Sequence, residues 1–81
     1  MNIEEQKAFL LNNLNKLNYI NEEELKSKDQ IDEIKLTKTD IVNYLDELKN
    51  DSNANIDLKK LYDIKIVVNK YSNYIMKYYR P

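Results

Sequence analysis

No glycine occurs anywhere in this chain of 81 residues, and the only proline is its last residue, Pro81. Glycine holds positive φ without a steric cost, so its absence disfavours tight two-residue hairpins and excludes the glycine-rich loops that cradle phosphates. Helices joined by Asn- and Ser-rich connections are the natural architecture for such a chain.

At this length the expectation is a single helical domain spanning residues 1–81. A domain of this size buries only about 60 to 65% of the surface that its unfolded chain exposes. With no cysteine there is no disulfide or thiolate site to supplement a small core, which leaves oligomerisation as the way to add burial. No apolar run approaches the roughly 18 residues that span a bilayer. The start, Met1-Asn2-Ile3-Glu4-Glu5, is acidic where a signal peptide would be basic and then apolar, so a cytoplasmic location is expected. Asn, Lys, Ile and Tyr make up 40 of the 81 residues and Ala only two, a bias that suits AT-rich codons of a low-GC bacterium or one of its mobile elements.

Three segments share one helix-start grammar, an apolar residue, a capping residue and a second apolar residue four further on: Ile20-Asn21 to Leu25, Leu36-Thr37 to Ile41, and Ile56-Asp57 to Leu61. In each the capping side chain can accept an orphan N–H of the first turn while the apolar pair closes a staple. A first helix over residues 3–17 is capped by Asn2 with Glu5 at the box position, and its apolar face runs Ile3, Leu10, Leu14, Leu17. A second covers 22–34 with an interruption at 27–30, a third 38–49, and 50–55 forms the clearest loop. From Leu61 the residues Ile64, Val68, Tyr71, Ile75 and Tyr78 come at alternating steps of three and four, which predicts one long helix over 58–79. The competing pattern is Tyr62, Ile64, Ile66, Val68 at period two, which with Asn69-Lys70 as a turn makes a C-terminal β-hairpin instead. The preferred fold is therefore all-α, three shorter helices packed on a long C-terminal one, with a winged-helix-like arrangement as the alternative.

With neither His nor Cys, the usual general base, thiolate nucleophile and structural zinc ligands are missing. No catalytic or metal-ligating set stands out and no cofactor, small-molecule substrate or membrane is implied, so the chain reads as a non-enzyme. Charge is segregated: residues 22–56 carry ten acidic and five basic side chains, residues 57–81 two acidic and six basic. Two surfaces emerge as candidates for a partner. The acidic one comprises Glu22, Glu23, Glu24, Asp29, Asp32 and Glu33, which could mimic nucleic acid toward a basic groove or simply be a solvated face. The basic-aromatic one comprises Lys59, Lys60, Lys65, Lys70, Tyr74, Lys77, Tyr79 and Arg80, suited to a protein interface or, less so, to stacking on nucleic acid. The stripe Leu61, Ile64, Val68, Tyr71, Ile75, Tyr78 is core, or the seam of a homodimer.

Residues 36–49, Leu-Thr-Lys-Thr-Asp-Ile-Val-Asn-Tyr-Leu-Asp-Glu-Leu-Lys, loosely resemble the recognition helix of helix-turn-helix and winged-helix regulators. That resemblance implies DNA binding with 62–79 as the wing, yet Asp40, Asn43, Asp46 and Glu47 stand where phosphates demand Lys and Arg. The leading expectation is a small protein-binding module of phage or mobile-element origin that occupies a host protein's surface, an inhibitor of host defence such as an anti-CRISPR protein being one instance. A DNA-binding transcription or replication regulator and a structural oligomerisation module are the alternatives.

Overall fold

The computed structural model describes residues 1–80, and its elements are all helical: α1 Ile3–Leu17, a 3₁₀ turn Glu22–Glu24, α2 Lys28–Asn50, α3 Leu58–Lys70 and α4 Ser72–Met76. None of the described residues has positive φ, so the connections are built without the conformations that glycine would supply. The helix α1 opens with a full capping box. Asn2 Oδ1 accepts the Glu5 N–H at 2.8 Å, and Glu5 Oε1 accepts the Asn2 N–H at 3.1 Å. Asn21 accepts the Glu23 N–H at 3.1 Å but starts only the short 3₁₀ turn.

Two boundaries differ from the sequence expectation. Residues 28–50 form one uninterrupted helix that begins at Ser27, whose hydroxyl accepts the Gln30 N–H at 3.3 Å. Thr37 is no cap: it is buried in the middle of α2, where its hydroxyl donates to the Glu33 carbonyl at 2.8 Å, the i−4 bond that lets a threonine sit inside a helix. The expected interruption is present, at residues 25–27 between the 3₁₀ turn and α2, but the helical piece expected around 31–34 and the separate third helix merge into one. Conversely, the expected helix over 58–79 is two helices. It breaks at Tyr71, whose backbone leaves the helical region at φ −104°, ψ 18°.

The β-hairpin alternative is overturned, since the described residues of 62–79 contain no strand. Helical spacing sorts the ambiguous run instead: Ile64 and Val68 are buried, Tyr62 and Ile66 exposed. The winged-helix arrangement goes with it, because α2 runs straight through the place where the turn before a recognition helix would lie.

The helices α1, α2 and α3 each pack on the other two, and the short α4 follows α3 directly after the break at Tyr71. Leu10 and Leu17 of α1, Ile34, Ile41 and Leu48 of α2, Leu61, Ile64 and Val68 of α3, and Ile75 of α4 share one core with Ile20, Ile56 and Tyr71. At the other end of the bundle Asp57 caps α3 by accepting the Lys59 N–H at 3.0 Å. Ile56 and Leu61, the expected staple of this start, are both buried. No helix among the described residues is long and apolar enough to cross a membrane.

Candidate partner-binding surface

The acidic and basic-aromatic segments, separate in the sequence, meet in the fold. Glu33, on the first half of α2, accepts at one oxygen both the Lys70 ammonium at 2.9 Å and the buried Tyr71 hydroxyl at 2.6 Å. Glu24, on the 3₁₀ turn, pairs with Lys77 just past α4. The Tyr71 hydroxyl and then Lys70 hold the Glu33 carboxyl below its ordinary value, and Lys77 does the same for Glu24. Glu24 in turn raises Lys77. Burial, reinforced by the Glu33 carboxylate, pushes Tyr71 up to about 12. These charge-assisted bonds tie the C-terminal segment to the acidic one at the edge of the core, while the second oxygen of Glu24, Oε1, is buried without a partner. They leave Glu23, Asp29 and Asp32 exposed and Glu22 half-buried, and nowhere among the described residues do three acidic side chains converge to hold a metal.

The rest of the basic-aromatic set is dispersed. Tyr79 packs edge-on against Tyr19, ring centroids 5.2 Å apart, so its ring belongs to the seam with the α1–α2 connection. Tyr74 is half-buried beside Tyr71. Lys60 lies over the Tyr44 ring at 5.5 Å, and burial followed by the carboxylates of Asp40, Glu47 and Asp63 raises the Tyr44 hydroxyl. Arg80 is exposed at the end of the described chain. In the stripe, Leu61, Ile64, Val68, Tyr71 and Ile75 are covered by the chain's own helices, and only Tyr78, 46% exposed, is left for any second copy.

A different surface is open. The side of α3 that flanks its core stripe carries Leu58 (66% exposed), Tyr62 (65%) and Ile66 (48%), spaced four apart and so aligned in one row. Against this row the start of α1 leaves an apolar groove of about 560 Å³, with Met1, Phe9, Leu58, Leu61 and Tyr62 as its walls. Among the described residues its charged side chains are Lys59 and Lys65, with no carboxylate in its lining. Phe9 and Met1 are placed by α1, whose position relative to α3 is set by Gln6: its amide N donates to the Met1 carbonyl and to Asn55 Oδ1, and its Oε1 accepts the Ile56 N–H. Lys59, Lys65 and the core residue Leu61 were singled out in the sequence; the exposed apolar walls were not. The missed signal was the second period-four apolar row on α3, overshadowed there by the heptad stripe.

The chain matches no protein-family model, and neither curated proteins nor solved structures include a match to it.

Proposed function

We propose that the chain is a non-catalytic protein-binding module that acts by occupying a partner's surface, and that the α1–α3 groove with its Leu58, Tyr62, Ile66 row is the face it uses. The observation that carries this reading is the row itself. Three large apolar side chains stand about half to two-thirds exposed in one line beside a concave apolar groove, an arrangement that costs solubility in a free chain and marks interaction sites. The acidic and basic candidates support it less, since Glu24, Glu33, Lys70 and Lys77 are engaged with one another. Nucleic-acid binding by α2 is disfavoured by Asp40, Asp46 and Glu47 on that helix. Inhibition of a host-defence protein by a phage or mobile element is the finer form of the proposal and rests on chain size and base composition.

A photo-reactive phenylalanine placed at Tyr62, and separately at Asp46 on the far helix, tests the reading in the cells that make the protein. A discrete adduct at 62, absent at 46 and lost on Leu58→Lys, is expected. Equal labelling at both positions, or micromolar binding to duplex DNA that weakens steeply with salt, would assign the function elsewhere.

A further inference from the structure

We infer that the occupant of the α1–α3 groove is an acidic amphipathic helix of another protein, its apolar anchors seated between Phe9 and Tyr62 and its carboxylates meeting Lys59 and Lys65. This rests on the groove being the binding face and adds the chemistry of the partner. Geometry supplies the first argument. From Leu58 to Ile66 the row extends about 12 Å, two turns of helix, which matches anchors at i, i+4 and i+7 of an opposing helix. The described residues offer no strand edge on which an extended peptide could add backbone bonds, which excludes recognition by strand addition.

Charge supplies the second. Among the described residues the charged side chains lining the groove are Lys59 and Lys65. Lys59 has a single exposed partner, Asp63, at 3.8 Å, and Lys65 has no carboxylate within ion-pair distance among the described residues. Lys70 and Lys77, by contrast, are held by Glu33 and Glu24. Lys65 thus stands free to meet a partner, and Lys59 is held only by a long, exposed pair within its own helix. A second copy docked face to face about a two-fold axis would set this lysine-rimmed groove against itself, which disfavours self-association there.

The test uses the full chain and labelled helical peptides about four turns long that share the same leucine anchors, one with glutamate and one with lysine at the flanking positions, plus a scrambled glutamate peptide. Fluorescence anisotropy and amide chemical-shift mapping are read together. The glutamate peptide should bind with shifts at Phe9, Leu58 and Tyr62, roughly tenfold or more tighter than the lysine peptide at low salt, a preference that shrinks as salt rises. The double variant Lys59→Glu, Lys65→Glu, both positions exposed and so compatible with folding, should invert the preference. Equal binding of the two charge forms at those same residues overturns the acidic partner while the groove stands as the binding face. Shifts confined to Lys70 and Lys77 overturn the groove as well. Failure of every peptide to bind overturns the inference, and tighter binding to phosphatidylglycerol vesicles than to the glutamate peptide reassigns the face to a lipid surface.

Discussion

At position 6 a glutamine occupies a place on the buried face of α1, and each of its amide atoms is used. Truncation by Gln6→Ala leaves the buried Ile56 N–H without its acceptor at 2.9 Å, so unfolding by urea followed by circular dichroism should show a loss of about 1 to 3 kcal/mol. A loss within about 0.5 kcal/mol, as at ordinary surface sites, would show that water replaces the amide. Asn13, about two turns along the same face, is the opposite case. It is 2% exposed, its amide N donates to the Phe9 carbonyl, and its Oδ1 has no partner. The near-isosteric Asn13→Leu should therefore stabilise the chain by up to about 1 kcal/mol, and a destabilisation would mean that the orphan oxygen is satisfied by solvent. Tyr71 carries a pH signature. Its hydroxyl is raised from 10.0 to about 12 in the folded chain, so its contribution is complete below pH 10 and is lost as pH rises toward 12. Wild type should lose roughly 2 to 3 kcal/mol relative to Tyr71→Phe across that window. Glu33 acts at the other end: its depressed value means a contribution present above the ordinary carboxylate range and lost as pH falls through it.

At the scale of elements the caps of α1 and α3 were legible because Asn2 and Asp57 each place a side-chain acceptor directly before an apolar stripe of helical spacing. Thr37 misled because the same apolar–Thr–apolar spacing fits a cap and a mid-helix threonine bonded to the turn before it; only Ile34 and Ile41, both fully buried on one continuous face, decide between them. Lys38→Pro puts this to the test. Proline at the first position of a helix is tolerated, whereas in the interior of α2 it removes a backbone bond and clashes, at a cost of about 3 kcal/mol or more. A melting temperature close to wild type would restore the separate helix. The break at Tyr71 had only a weak local signal, Asn69 before it and Ser72-Asn73 after it, against an apolar heptad position and with neither Gly nor Pro to mark it. With the break in place, Lys77 lies against Glu24 and Tyr79 against Tyr19, contacts that periodicity along one segment does not show.

Across the whole molecule the charge segregation was visible in composition, but its meaning was not, because whether two charged segments face solvent or each other depends on tertiary placement. The core was read more reliably than the surface: five of the six stripe residues on the C-terminal segment are buried, while the groove, which needs α1 beside α3, lay outside what periodicity along one segment can reveal. Shape belongs to this scale too. The radius of gyration, 13.1 Å, exceeds the about 12 Å of a compact chain of this length, and the extents of 40 × 26 × 19 Å reflect the 23-residue α2. So slender a bundle has less interior in which to hide the outer row of α3. The clasp between Glu33 and Tyr71 also has a temporal side. It joins residues 38 apart in the chain, enclosing most of α2 and all of α3, so it can close only after those helices have docked. Interactions formed that late are absent from the transition state and act on escape from the native state. Stopped-flow measurement of Tyr71→Phe should show faster unfolding with an almost unchanged folding limb, making this one hydroxyl a determinant of how long the folded chain lasts.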